Sequence, residues 1–417
     1  MRKKAIIVTL LLFLATFILY FTLFRKDKNL YFVPENTDYV VLLDTKNIAK
    51  TYLYHSVLNP SEWLKKEKKE DKISLKNSGI KIPDFIQIFH LKNSPISLWY
   101  SVIEIKNPEH FLLFLAQEKF IKQEKNIYKK EYFTVKIVDD KCIISTGDTK
   151  DFSHFNLLSR LVQQDNSEGF YKANQFIEGS HGSFSHISEG KITSFPIVLE
   201  ENSIILKSEN LNTNFADFIE NLQQKPQTLH VELDEKNINL FKKISKEENS
   251  DSLQINKIHG IATVELVNDT IVSYEFDDNF NEVKKETYQK ILQPNYRFGI
   301  STNNPETIWK YFQQKKWINA QNEFTAIPFL PNSISQTDKE LQIVSTRKKI
   351  ETTAVLNKNF LFYRSNPLFV SNLQFVSEKE KRFLSNIDYV FYGNQNEDYF
   401  LEIRLKKQKL PFILRLL

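Results

Sequence analysis

The chain has 417 residues, 41% of them apolar and including 34 Phe and 17 Tyr, which is ample for packed cores and excludes the disordered class. The formal charge is +5, with three basic residues on each side of an N-terminal apolar run, and the remainder carries no clustered basic face of the kind that binds nucleic acid. A single Cys excludes an intramolecular disulfide and a Cys-based zinc cluster, and only nine Gly lower the expectation of phosphate-cradling loops.

In chain order, Arg2, Lys3 and Lys4 precede Ala5 to Phe24, an uncharged run that Arg25, Lys26 and Lys28 follow. At about 1.5 Å per residue the run matches the roughly 30 Å hydrocarbon core of a bilayer. It is longer than a signal-peptide core and no A-x-A-like cleavage site follows, so the expectation is an uncleaved transmembrane signal anchor. That places residues 1–28 as a cytoplasmic tail and anchor at the cell (inner) membrane, with residues 29–417 extracytoplasmic. The lipid bilayer is then a partner through Ala5 to Phe24.

The stretch Val41 to Ile48, V-L-L-D-T-K-N-I, returns at Val231 to Ile238 as V-E-L-D-E-K-N-I, 190 positions on. Asn107-Pro108-Glu109 returns as Asn304-Pro305-Glu306, 197 positions on. After each proline, apolar residues fall at +3, +4 and +7: Phe111, Leu112 and Leu115 in one case, Ile308, Trp309 and Phe312 in the other, one face of a helix. Asp44 and Asp234 close strand-like runs and suit helix N-caps; Asn107 and Asn304 do the same, with Pro at the first helical position. The repeat search therefore predicts a tandem duplication, with a first α+β unit over 29–225 and a second over 226–417. The expected fold class is α+β: an N-terminal transmembrane helix, then two duplicated units of mainly antiparallel sheet with packed helices.

In the first unit, residues 39–43 read as a strand, and helices are expected from 45 to about 55 and over 62–69. A strand over 96–105 precedes the Pro108 helix. Residues 128–138 and 141–145 form an expected hairpin around Asp139-Asp140, with Cys142 as a buried small hydrophobe. A helix is expected over 152–162. In the second unit, the alternation over 257–266 and 270–276, separated by Val267-Asn268-Asp269, reads as a hairpin. Strands are expected at 297–301, 340–345, 352–356, 360–363, 388–392 and 398–405, with a helix over 378–385. The apolar C-terminal stretch from Leu410 is expected to dock against the fold.

The nearest thing to a site is His181-Gly-Ser-Phe-Ser-His186. Two His five apart can share a metal from a loop but not from a straight strand, where they face opposite sides; Glu178 and Glu189 are the only nearby carboxylates. No G-x-G-x-x-G, P-loop, G-x-S-x-G, H-E-x-x-H or C-x-x-C is present, so no catalytic or cofactor-binding residue and no cofactor is assigned.

Val33-Pro34-Glu35-Asn36-Thr37, followed by the strand at 39–43 directly after the anchor, resembles the opening of uncharacterised single-pass, membrane-anchored bacterial envelope proteins with a duplicated domain of unknown function. That resemblance implies architecture and brings no activity. The expected function is a non-enzymatic scaffold or binding module of the cell envelope, with an envelope protein as partner. The alternatives are an envelope hydrolase with a site between the units, or a carrier of an apolar ligand.

Overall fold

In T-D-Y-V-V-L-L-D, Val40 and Leu42 turn into a core while Val41 and Leu43 are half-buried, the period-two pattern of a strand covered on both faces. The same pattern runs through most of the chain in the computed structural model. It describes residues 24–27, 32–60, 77–147, 153–163, 170–171, 176, 180–245, 253–276, 280–327, 332–345, 348, 350, 359–371 and 377–415. The chain divides into two units, one holding Met1–Glu209 with Gln408–Leu417 and the other Asn210–Lys407. The expected boundary at 225/226 thus falls earlier, and the last ten residues return to the first unit.

The first unit contains β1 (Thr37–Asp44), α1 (Thr45–Leu58), β2 (Phe85–Leu91), β3 (Tyr100–Glu104), α2 (Pro108–Gln117), β4 (Ile121–Glu124), β5 (Ile127–Lys130), β6 (Phe133–Val138), β7 (Lys141–Thr146), α3 (Ser153–Gln163), β8 (Gly182–Ser188), β9 (Lys191–Leu199) and β10 (Ser203–Lys207). Its strands pair antiparallel in the order β4-β5-β6-β7-β3-β2-β1-β8-β9-β10. One face buries Val40, Leu42, Phe89, Tyr100 and Ile143 against Leu158 and Val162 of α3. On the other, Phe111 and Leu115 of α2 pack with Ile105, Val135 and Cys142. Leu112 stays exposed, so the predicted apolar face of α2 is narrower than the spacing suggested.

The second unit contains α4 (Ala216–Gln223), β11 (Leu229–Asp234), α5 (Glu235–Ser245), β12 (Lys257–Phe276), β13 (Glu282–Ser301), α6 (Pro305–Gln314), β14 (Asn332–Gln336), β15 (Glu340–Ser345), β16 (Asn359–Arg364), α7 (Pro367–Ser371), α8 (Glu378–Asn386), β17 (Ile387–Gln395) and β18 (Asp398–Leu405). The order is β14-β15-β13-β12-β11-β16-β17-β18, again antiparallel throughout. Ile308 and Phe312 of α6 pack on Leu341 and Ile343, while Ile219 and Leu222 of α4 pack on Phe360, Phe362 and Phe391. The helix α9 (Phe412–Arg415) belongs to the first unit, where Phe412 N–H donates to Glu201 O at 2.8 Å and Ile413 and Leu414 are buried, so the apolar terminus docks as expected.

Set β4 and β5 aside and the two strand orders coincide. The registers coincide as well. Val41 stands opposite Ile88, which stands opposite Ser101; Val231 stands opposite Gly260, which stands opposite Phe298. Ser101 and Phe298 are 197 positions apart, the interval that separates the two Asn-Pro-Glu sequences. The ladders thus carry the first echo across three strands onto the second.

The local chemistry at both echoes agrees. Asp44 accepts from Asn47 N–H and Asp234 from Asn237 N–H, each at 2.9 Å. Asn107 accepts from His110 N–H at 3.0 Å and Asn304 from Thr307 N–H at 3.2 Å. Both of these helices run ten residues and stop at a lysine with positive φ, Lys119 at 63° and Lys316 at 58°. Phe120 N–H then returns to Leu115 O and Trp317 N–H to Phe312 O, the same helix-closing bond.

The expected fold class is corrected. Among the described residues antiparallel sheet dominates, with 47% strand against 23% helix, rather than an N-terminal transmembrane helix followed by mainly antiparallel sheet with packed helices. No helix among the described residues is long and apolar enough to cross a membrane. Residues 5–23 of the expected anchor lie outside the described residues, and Phe24 sits in a turn. The physical reason for the strand excess is that segments read as short strands continue on both sides, and one expected strand is two. Residues 128–138 break at Glu131 (φ 50°), giving β5 and β6. The expected helix over 62–69 and strand over 352–356 lie outside the described residues.

Candidate functional site

His186 lies within β8 and His181 just before it, and the two side chains meet different partners. His181 Nδ1 accepts from Leu199 N–H at 3.2 Å, which leaves Nε2 to meet Thr51 Oγ1 at 2.8 Å. Burial pushes its pKa down, so it is held neutral as a structural group. His186 stacks on Tyr39, ring centroids 5.0 Å apart. Glu189 sits in the turn after β8 with φ 51°, and Glu178 lies outside the described residues. The structure does not bring this pair together, and no group of three His, Cys, Asp or Glu among the described residues is placed to hold a metal. Cys142 is fully buried and its thiol is pushed up to about 12 by desolvation, which removes it as a nucleophile.

The polar side chains that do converge were not visible in the sequence. Glu232, His259, Gly299 and Gln342 lie directly opposite one another across β11, β12, β13 and β15. Facing residues in antiparallel strands share a side, as do residues two apart, so Lys257, Arg297 and Glu340 join them. Glu340 Oε1 meets His259 Nε2 at 2.6 Å, and Glu340 Oε2 accepts from Gln342 Nε2 at 3.0 Å. Arg297 Nη2 donates to Gln342 Oε1 at 3.3 Å. Burial raises the Glu340 carboxyl, but Gln342, His259 and Arg297 together outweigh it and hold the group below the ordinary range. Lys257 Nζ stands 2.8 Å from Glu232 Oε2, a charge pair rather than an aligned hydrogen bond.

At the matching ladder positions the first unit has Leu42, Phe85, Tyr100 and Ile143, where the second has Glu232, Lys257, Arg297 and Gln342. Leu42, Phe85, Tyr100 and Ile143 all belong to the first unit's core. Where the second unit has His259 and Glu340 the first has Gln87 and Lys141, so a mainly apolar face in one unit corresponds to a mainly charged one in the other.

This charged face lies at the root of the longest element. β12 and β13 run 20 residues each, yet β11 pairs with β12 only at 257–262 and β15 pairs with β13 only at 297–301. Beyond that, 263–276 pairs only with 282–295 among the described residues. At about 3.4 Å per residue, fourteen residues of two-stranded ribbon reach roughly 45 Å. Val267-Asn268-Asp269, read as a turn, is continuous ladder opposite Gln289–Ile291, and this is a correction. Leu266, Val272, Tyr274, Phe276 and Tyr288 stand exposed on one face of the ribbon, interleaved with Lys284, Glu286 and Lys290. Pro294 lies in β13 beyond the last residue paired with β15, an edge position where a missing N–H breaks no ladder.

An open depression of about 570 Å3 in the second unit is lined by Asn212, Thr213, Asn214, Gln395, Asn396, Glu397 and Asp398. Asp398 there is satisfied by Thr213 N–H and Oγ1 and by Asn212 N–H. Its polar lining does not suit an apolar ligand. No protein-family model matches the chain, and no curated protein matches it either.

Proposed function

We propose that the chain is a non-enzymatic binding or scaffold module of the cell envelope, built by tandem duplication of one antiparallel unit. In this reading the β12–β13 ribbon is the element that meets an envelope partner. Attachment to a bilayer through Ala5 to Phe24 is part of the same proposal and rests on the sequence. The observation that carries the proposal is the ribbon itself: a self-paired arm with exposed aromatic and aliphatic side chains and two open strand edges. Open edges and solvent-facing apolar ladders are costly to leave exposed and are a means of recognition when a partner covers them. Duplication is supported by the shared strand order, the matching registers and the repeated caps. The polar network then has a mechanical role, locking four strands together where the arm leaves the sheet.

The test is a photo-crosslinking residue at Tyr288 in the full chain in cells, with one at Tyr132 as the reference. A defined adduct at Tyr288 and none at Tyr132 supports the reading. No adduct at Tyr288, or the same adducts at Tyr288 and Tyr132, overturns it.

A further inference from the structure

The α1 helix of the first unit carries a stripe of unusual composition. Leu53, Tyr54, Val57 and Leu58 are 47%, 63%, 74% and 59% exposed. With Lys46 and Lys50 they follow the spacing of one helical face, lysines at the N-terminal end and apolar residues at the C-terminal end. The other contacts of α1 are made within its unit: Thr51 meets His181, Asn47 donates to Ser180 O, and α9 lies against it.

The lysine end of the stripe is where the segment 24–27 is fastened. Lys46 Nζ donates to Arg25 O and pairs with Asp84 at 2.9 Å. Lys50 Nζ lies 4.1 Å from the centre of the Phe24 ring. Lys26 pairs with Asp44, the cap of α1 itself. Phe24 is the last residue of the uncharged run that starts at Ala5. The end of that run is therefore fixed beside Lys50, and the exposed apolar residues begin one helical turn further on, within about 10 Å along the axis.

We propose that this face of α1 lies on the bilayer surface, with Lys46 and Lys50 at the level of the lipid headgroups and Leu53, Tyr54, Val57 and Leu58 in the boundary between headgroups and acyl chains. The inference rests on the proposed attachment through Ala5 to Phe24. Its support is continuity: whatever takes up the uncharged run adjoins this stripe. The chemistry fits a lipid surface, with lysines able to reach anionic headgroups and a Tyr among aliphatic side chains at interfacial depth. The contact would fix the orientation of the first unit against the membrane, which a single flexible tether does not do.

The test uses the full chain with Val57→Cys, labelled with an environment-sensitive fluorophore and reconstituted into vesicles of phosphatidylcholine and phosphatidylglycerol. Cys142 is fully buried and stays unlabelled in the folded chain. The reference is Tyr132→Cys, between β5 and β6, where β6 lies four strands from β1, roughly 19 Å across the sheet. The expected result is that brominated lipids quench the label at position 57 at least twofold and leave the one at 132 unchanged. If the chain floats with the vesicles and position 57 is not quenched, the surface contact is overturned while the attachment stands. If the chain does not float, both fall.

Discussion

Gly299 lies directly opposite His259, and a Cβ at that glycine would stand 2.2 Å from both His259 Nε2 and Glu340 Oε1. The His–Glu bond therefore occupies the space that any other residue at 299 would fill. Gly299→Ala is expected to push the two side chains apart and cost about 1–3 kcal/mol. The backbone at 299 has no positive φ, so the cost is in the lost contact and not in the main chain. Urea denaturation of a double-mutant cycle checks this: with His259→Ala already present, the effect of Gly299→Ala should shrink to less than half. An undiminished effect would place the cost elsewhere.

His230 is buried on the face of β11 that α4 covers nearby, edge-on to Phe360 with centroids 4.8 Å apart and with Nδ1 unpartnered. Burial, with Lys225 adding to it, lowers its pKa from 6.5 to about 4. In the unfolded chain the imidazole takes up a proton near 6.5, whereas in the folded chain it resists until about 4. Stability is therefore full above pH 6.5, declines as pH falls from 6.5 to 4, and levels off below. The decline is at most roughly 3 kcal/mol, from 1.36 kcal/mol per pKa unit. Urea midpoints measured across that window should show the slope in the wild-type chain and a flatter one in His230→Leu.

The two aspartates of the repeated stretch predict unequal losses. Both cap a helix, and losing a cap costs about 1 kcal/mol. Asp44 is also buried and paired with Lys26, whereas Asp234 is exposed and bonded to Asn237 and Asn359. Asp44→Ala strips a half-buried ammonium of its partner and should cost about 2–4 kcal/mol, against about 1 for Asp234→Ala. Thermal unfolding of the two variants checks the ranking, and equal losses would mean that Lys26 finds a substitute.

The caps, the ten-residue helices and the hairpin turn at Asp139-Asp140 were legible because each is decided by a few adjacent residues. Docking of the C-terminal apolar stretch and burial of Cys142 were legible from hydropathy alone. The ribbon was not. A two-stranded arm wet on both faces needs no apolar period, so Lys284, Lys285 and Glu286 gave no strand signal and Val267-Asn268-Asp269 passed for a turn. The charged face was hidden for another reason: Glu232, Lys257, Arg297 and Glu340 converge only through ladder registers that no local pattern encodes. The positive φ at Lys119 and Lys316 was equally invisible, since Gly is the usual signal there. His181 and His186 looked like a site only while the segment could be a loop; in the fold they meet different partners.

The arm should show two stabilities along one pair of strands. At its root each strand has a second partner, β11 on one side and β15 on the other, and the Glu340 network ties them. Over 263–276 and 282–295 each strand has one partner, and an isolated two-stranded ribbon is marginal in water. Opening the outer half exposes little that is not already wet, so its amides should exchange through local opening. Hydrogen exchange is expected to be at least tenfold faster at 268–276 and 282–290 than at 257–262 and 297–301. Buried Leu292 and Tyr296 should mark the transition between the two regimes. Uniform protection along all 20 residues in the isolated chain would mean that something already covers the arm, and its role as an open contact surface would fail.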